Sequence, residues 1–183
     1  MNYHELFTYN PETGDLTWKA RPLSHFDSYH AWRCFNGHYA GKTAGHRRSR
    51  KERNYTMGHV FIAISGGVKR KHAQAHNVIW NMVHGEVPEG MFVDHIDGVP
   101  WNNALSNLRL ATPSENSMNR RTRSDNLAGI KGVGWHKSSG KYIARIVYGG
   151  KRVHLGSFDV KGLAAVAYAK AALRYHGQFA RFA

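Results

Sequence analysis

One stretch of the chain holds the residue types that hydrolysis of a phosphodiester bond needs. Asp94 and His95 are neighbours, Asn107 follows Asp94 by thirteen residues, and Asn116 comes nine residues later. The reaction requires an activated water, a cation that takes up charge in the transition state, and a stabilised leaving oxygen. An aspartate, a histidine and an asparagine could supply these functions, although an Asp–His pair alone also occurs in chains without such chemistry. Their oxygen donors suit magnesium or manganese better than zinc.

The flanking sequence indicates the elements that must position these residues. The segment around Asp94 has the pattern of strand, long turn and strand, and a helix begins near Pro113 with Thr112 as its N-cap. Side chains of adjacent strand residues point to opposite faces, so strand twist or a strand end must bring Asp94 and His95 to one site. Asn116, on the helix, can fold back and place a neutral oxygen beside the Asp94 carboxylate.

Segments upstream predict short strands and one helix. Apolar patterns indicate strands over residues 16–18 and 60–64 and a short helix over 76–84. His76, at the start of that helix, is either exposed to solvent or in contact with phosphate. Residues 37–51, rich in glycine, histidine and arginine, are expected to form a loop that lies along phosphates or is simply solvated.

The chain after residue 128 has the pattern of a second domain. Three short strands are separated by Ser138-Ser139-Gly140 and Gly149-Gly150, and an alanine-rich helix follows over 160–176. Strand alternation places Arg145, Arg152 and His154 on the outer face of this sheet and apolar side chains on the other. Three arginines precede the domain and form either a phosphate-contacting arm or a solvated linker; they are Arg120, Arg121 and Arg123.

Composition restricts the partners. Lysine and arginine number 26 against 12 acidic residues, a formal net charge of +14, which favours a polyanion. The single cysteine, Cys34, excludes an internal disulfide and a cysteine-rich zinc site. With neither a signal peptide nor a membrane-spanning run apparent, we expect a cytoplasmic monomer that binds double-stranded DNA, with no membrane and no small-molecule cofactor as partners. An RNA-binding module would use the same charge and aromatic residues.

The catalytic segment resembles a known nuclease motif. VDHIDGVPWNNALSNLRLATPSEN, residues 93–116, is similar to the ββα-metal motif of the HNH homing endonucleases of phages and introns. HNVIW, residues 76–80, resembles the helix that enters this motif, and the resemblance covers about residues 1–120.

This resemblance implies a role for each residue of the motif. Asp94 and Asn116 would be the metal ligands, and His95 would be the general base that takes a proton from water. Asn107 would pin the loop and orient His95 through its side-chain amide. Since asparagine replaces a histidine that is frequent in the motif, the resemblance implies a single, weakly held Mg²⁺, with Mn²⁺ as an alternative.

The C-terminal part resembles a second family. GVGWHKSSGKYIARI, KRVHLGSFD and AAVAYAKAALRYHG, within residues 129–180, are similar to the plant ethylene-response-factor DNA-binding domain. That domain is a three-stranded sheet packed on one helix and also occurs fused to phage HNH nucleases. Gly134 and Ser139 stand where arginine and tryptophan are common in that family, so its target sequence does not transfer to this chain.

Together these features predict an α+β protein that is a site-specific, magnesium-dependent DNA endonuclease. We expect a nuclease domain over 1–119 with its ββα-metal motif at about 76–119, a basic linker over 120–128 and a DNA-binding domain over 129–183. A DNA-binding regulator with an inactive nuclease motif is the alternative. The residues expected to contact DNA are His76, Arg109, Arg120, Arg121, Arg123, His136, Arg145, Arg152 and His154.

Overall fold

A computed structural model of the chain describes residues 2–47, 59–65 and 70–182. It divides into two compact units, Met1–Leu110 and Ala111–Ala183. Each unit combines helices with small sheets, which confirms the expected α+β class. The domain limits derived from the sequence stay a prediction. Among the described residues, no helix is both long enough and apolar enough to cross a membrane.

In the described residues of the first unit, the chain forms short helices and three small sheets. Its helices are α1 (Tyr3–Leu6), α2 (Tyr29–Tyr39) and α3 (Ala75–His84). Its strands are β1 (Phe7–Tyr9), β2 (Leu16–Trp18), β3 (His46–Arg47), β4 (Val60–Ser65), β5 (Arg70–Gln74), β6 (Phe92–His95) and β7 (Leu108–Ala111). They pair as β1–β2, β3–β4–β5 and β6–β7.

Helix α3 forms where the apolar periodicity predicts it. Ala75, Val78 and Ile79 are spaced three and four residues apart, and all three are buried in the core of this unit. Gly85 ends the helix with a φ of +85°, a left-handed conformation that glycine adopts without steric cost. The helix therefore presents a fixed face to β4 and β6, and this face includes His76.

Helix α2 is an element that the sequence analysis does not predict. Ser28 caps it by accepting a hydrogen bond from the Ala31 N–H, and Phe35 packs edge-on against Trp18 with ring centroids 5.2 Å apart. The prediction of a loop over 37–51 is therefore wrong at its start, because the helix runs to Tyr39, and again at His46–Arg47, which form β3. Residues 48–51 lie outside the described part of the chain.

The second unit is a short helix followed by a sheet and a long helix. Its elements are α4 (Pro113–Asn119), β8 (Val133–His136), β9 (Lys141–Tyr148), β10 (Lys151–Phe158) and α5 (Lys161–His176). The antiparallel sheet has the order β10–β9–β8, as the turn residues predict.

Helix α5 packs closely on this sheet. Ala164, Ala172 and Tyr168 are buried between the two layers. Gly132 has a φ of +70°, and a Cβ there would lie 2.1 Å from the Tyr168 ring, so only glycine lets the tyrosine approach the chain before β8.

The register of β9 and β10 sorts their side chains as alternation predicts. Arg152 lies opposite Val147, and His154 lies opposite Arg145, all on the face away from α5. A bulge between His154 and Gly156 shifts the register before the strands pair again. One face of the sheet is thus apolar and covered, and the other carries the basic residues.

Candidate active site

The last two residues of β6 are the predicted metal ligand Asp94 and the predicted general base His95. Asp94 and His95 are 8% and 5% exposed, so both are buried. Each meets its own partner, as expected for neighbouring residues of a strand. The Asp94 Oδ2 atom accepts hydrogen bonds from Nε and Nη2 of Arg109, each 3.0 Å long. His95 Nε2 lies 3.0 Å from Oδ1 of Asn103.

The bond to Asn103 determines which nitrogen of His95 can act as a base. A carbonyl oxygen only accepts hydrogen bonds, so Nε2 of His95 is the donor in this pair. In the neutral ring the lone pair then lies on Nδ1, which is the atom able to take a proton from water. Asn103 is itself buried, so the ring is held in this orientation within the protein.

Asn107 has the loop-pinning role that the sequence predicts, but it does not hold the imidazole. Its Nδ2 donates to Asp97 Oδ1 at 2.9 Å and to the Asn102 carbonyl at 2.8 Å. Its Oδ1 accepts from the Asp97 N–H at 3.0 Å. Both amide hydrogens are thus committed to the loop, and the predicted orientation of His95 by Asn107 is corrected to Asn103.

Asp97 closes the same loop. Its carboxylate accepts hydrogen bonds from the Val99 N–H at 2.7 Å and from the amides of Asn102 and Asn107. Burial alone would raise the pKa of Asp97, but the hydrogen bonds outweigh it and the pKa lies below its ordinary value. The side chain is therefore an anion that organises the long turn predicted between the two strands.

The N-terminal hairpin supports the backbone of Asn103. The Tyr9 hydroxyl donates to the Asn103 carbonyl at 3.1 Å, and the Leu105 N–H donates to the Pro11 carbonyl at 3.1 Å. Gly14, with a φ of +78°, sits so close that a Cβ there would lie 2.3 Å from the carbonyl carbon of Asn103. The sequence does not reveal this support, because the Tyr9–Asn103 contact joins residues that are 94 positions apart in the chain.

Arg109 contacts Asp94 and is not at the open surface. Its side chain is 12% exposed, and the guanidinium forms a buried ion pair with the carboxylate. An arginine at this position orients the aspartate and compensates its charge in a site of low polarity. A contact between Arg109 and a DNA phosphate stays a prediction.

His76 belongs to a buried group of three histidines. His59, His76 and His95 each offer a ring nitrogen, and these atoms lie within 4.8 Å of one another. His76 is only 4% exposed, so the alternative of solvent exposure is wrong, and its contact with a phosphate stays a prediction. Burial, with smaller contributions from His95 and His59, lowers the pKa of His76 to about 3, and burial likewise lowers the pKa of His59. Both rings are therefore neutral at physiological pH.

Comparison with known proteins shows the family of this chain. A family model described as HNH endonuclease matches residues 73–118, which include α3, β6, β7 and most of α4. Protein 3.8 of Escherichia phage T7 is 40% identical over 112 residues, which cover 61% of this chain and 92% of the phage protein. The chain belongs to the HNH endonuclease family. It is accordingly a DNA endonuclease, as the sequence predicts.

Two further proteins are similar to this HNH endonuclease. HNH endonuclease L560 of Acanthamoeba polyphaga mimivirus is 36% identical over 108 residues, covering 58% of this chain and 55% of that protein. A solved structure of the HNH homing endonuclease I-HmuI matches with 22% identity and a TM-score of 0.40, covering 93% of this chain and 85% of that one.

Asn116, the second predicted metal ligand, lies on α4 of the HNH endonuclease. The helix begins as predicted, with Pro113 as its first residue and Thr112 as the N-cap. Thr112 and Glu115 form a capping box, in which each side chain bonds the other residue's backbone N–H. Asn116 belongs to the second compact unit and is half-buried, and its role as a ligand stays a prediction.

The predicted DNA contacts of the second unit lie on exposed surfaces. His136, Arg145, Arg152 and His154 are all exposed on the sheet that α5 covers from behind. A shallow depression of about 440 Å³ includes His136, Arg145 and Arg152 in its lining. Arg120 and Arg121 are exposed, whereas Arg123 donates to both carboxylate oxygens of Asp125 at 3.0 and 2.8 Å. The Asp125 carboxylate therefore compensates the charge of Arg123.

Proposed function

We propose that this HNH endonuclease cuts double-stranded DNA at specific sites in a divalent-metal-dependent, homing-type role in a phage. The observation that carries the proposal is the His95–Asn103 hydrogen bond beside the buried Asp94 carboxylate. The bond orients His95, the proposed base, and the proposed metal ligand Asp94 is the preceding residue of the same strand. The similarity to a protein of phage T7 supports the phage role. The host cytoplasm is where we expect it to act.

The residues present fit a magnesium ion. Asp94 would hold it through a carboxylate oxygen and Asn116 through its side-chain amide oxygen, the donor types that Mg²⁺ prefers, with Mn²⁺ as an alternative. The pairing of Asp94 with Arg109 orients the carboxylate. A bound divalent ion would supply stabilisation of the negative charge that develops on the phosphoryl oxygens and on the leaving oxygen.

The protein residues account for the proton transfer. His95 Nδ1 takes a proton from the attacking water while its Nε2–H stays bonded to Asn103. Asn103 accepts this hydrogen bond both before and after the transfer, so the ring does not have to turn. The loop held by Asp97 and Asn107 keeps Asn103 in place, and the β1–β2 turn supports it from the other side.

The second unit supplies affinity and selects the target. Arg145, Arg152, His136 and His154 give an exposed basic face on a rigid sheet, which suits a groove of duplex DNA. Arg120 and Arg121 extend the basic surface along the backbone. Joining this reader to the nuclease raises the local concentration of the catalytic site at the bound sequence.

Cleavage of supercoiled plasmid tests the proposal. With Mg²⁺ the protein should convert supercoiled DNA to the nicked form, because one HNH site acts on one phosphodiester at a time. Addition of EDTA should abolish the conversion while a gel shift still reports DNA binding. DNA binding with no cleavage at any Mg²⁺ or Mn²⁺ concentration would instead support the regulator with an inactive motif.

A further inference from the structure

His59, His76 and His95 form a cluster, and the proposed magnesium chemistry uses only His95 of the three. His59 precedes β4, His76 lies in the first turn of α3, and His95 ends β6. The ring centroids of His76 and His95 are 5.0 Å apart, those of His59 and His76 are 5.2 Å apart, and those of His59 and His95 are 5.9 Å apart. Three separate segments of the chain thus bring imidazoles together.

Two nitrogens of this cluster lack the partners that buried polar atoms normally have. Nδ1 of His59 and Nδ1 of His76 are buried and make no hydrogen bond to any described residue. Unpaired buried polar atoms are rare and costly, and they are frequent where a ligand or ion belongs. His76 is 4% exposed, so bulk water does not compensate its ring.

The geometry suits a transition-metal ion. Zinc binds imidazole nitrogen at about 2.0–2.1 Å in a tetrahedral arrangement, which puts ligand atoms about 3.3 Å apart. The three ring nitrogens already lie within 4.8 Å of one another, so modest ring rotations close the site. Three imidazoles with no carboxylate among them favour a borderline ion such as Zn²⁺ over Mg²⁺, which needs oxygen ligands.

We propose that His59, His76 and His95 bind one Zn²⁺-like ion, and that this ion inhibits the nuclease. A neutral imidazole has one ring nitrogen with a lone pair, so an ion bound to His95 takes up the lone pair that would accept the proton from water. Zinc therefore removes the base by occupying its lone pair, while the magnesium ligand Asp94 stays in place. The inhibitory part rests on the proposed function; the existence of the metal site does not.

Cobalt spectroscopy tests the site without using activity. The full-length protein is titrated with Co²⁺, whose tetrahedral complexes absorb visible light far more strongly than octahedral ones. All variants carry Cys34→Ser, because Cys34 Sγ and His30 Nε2 lie 3.5 Å apart on the surface of α2 and could bind the ion weakly. The variants are His59→Gln and His76→Gln, and the control is His84→Gln, an exposed histidine at the other end of α3.

We expect the starting protein and His84→Gln to bind one equivalent of Co²⁺ with a tetrahedral spectrum that Zn²⁺ displaces. His59→Gln and His76→Gln should bind at least tenfold more weakly. If His76→Gln does not fold by circular dichroism, His59→Gln decides alone, since this residue lies outside the helices and strands. Equal binding by all variants, or an octahedral spectrum only, would overturn the site.

Inhibition is measured separately as the ratio of the Mg²⁺-dependent cleavage rates with and without stoichiometric Zn²⁺. We expect a strong decrease for the starting protein and for His84→Gln, and a ratio near one for His59→Gln. Tetrahedral binding without inhibition would refute the claim that the ion blocks the base. A protein that binds Co²⁺ but never cleaves DNA would refute the proposed function and leave the metal site standing.

Discussion

Asn103 Oδ1 and His95 Nε2 form a buried hydrogen bond of 3.0 Å, and the backbone carbonyl of the same asparagine accepts the Tyr9 hydroxyl at 3.1 Å. The imidazole of His95, the proposed general base, is therefore oriented by a residue whose own position depends on the N-terminal hairpin. Asn107 closes the loop through its bonds to Asp97 and does not contact the His95 ring through its amide. This division separates the residues whose loss should affect catalysis from those whose loss should affect stability.

Replacing Asn103 should slow the chemical step with little change in DNA affinity. Asn103→Ala removes the acceptor for Nε2–H, so the ring loses its fixed tautomer and orientation. We expect kcat to fall by less than the loss of the base itself, which typically costs about 10²–10⁴-fold, and KM to stay nearly constant.

The conservative variant Asn103→Asp separates positioning from general damage. It keeps an acceptor and should restore most of the rate, with the pH–rate profile moved to higher pH because a carboxylate favours the protonated ring. Asn77→Ala, at an exposed asparagine of α3, is the control. A profile of Asn103→Asp identical to that of wild type would contradict the assignment.

Replacing His95 itself tests the general base. His95→Ala should bind DNA as wild type does and lose cleavage by about 10²–10⁴-fold, because no group remains to accept the proton of the attacking water. His84→Ala, an exposed histidine of the same unit, should cleave normally. Single-turnover cleavage and a gel shift measure the two effects separately, and cleavage at the wild-type rate by His95→Ala would exclude the role.

The pair of Asp94 and Arg109 should contribute strongly to stability. Arg109→Met leaves the buried carboxylate without its guanidinium, and breaking a buried ion pair typically costs about 3–5 kcal/mol. The double variant Asp94→Asn, Arg109→Met should recover part of the loss, since it removes the uncompensated charge. Arg123→Met, which breaks the exposed pair with Asp125, should change the free energy of unfolding far less, because solvent screens that pair. Urea unfolding measures all three, and equal losses in the two single variants would contradict the prediction.

Much of the fold follows from local signals in the sequence. The α3 periodicity, the Thr112 cap and the strand-separating glycines of the second unit each act within a few residues, and the structure has these elements at the predicted positions. The partner of His95 could not be predicted in this way, because the contact with Asn103 depends on how a loop is folded and supported. Helix α2 was missed because its packing depends on residues outside the helix: Phe35 packs against Trp18 and Phe26.

The basic face of the second unit should determine the salt dependence of DNA binding. Each phosphate contact contributes about −0.9 to the slope of log affinity against log salt concentration. Arg145→Gln and Arg152→Gln should each lessen the slope by about one unit, since both side chains are exposed on the outer face of the sheet. Arg123→Gln should change it less, because Asp125 already compensates that charge. Slopes unaffected by either sheet variant would place the DNA elsewhere.

Tyr168 should make the second unit sensitive to alkali. Burial between α5 and the sheet raises the pKa of Tyr168 from its ordinary value of 10.0 to about 12. Between these values the unfolded chain releases a proton that the folded chain keeps, so the stabilisation is complete below pH 10 and is lost as the pH rises towards 12. The slope has an upper limit of about 1.4 kcal/mol per pH unit. Tyr168→Phe keeps the packed ring but cannot ionise, so its urea-unfolding free energy should decline less than that of wild type over this interval. The other tyrosines are common to both proteins, and parallel curves would show that Tyr168 does not titrate differently in the folded state.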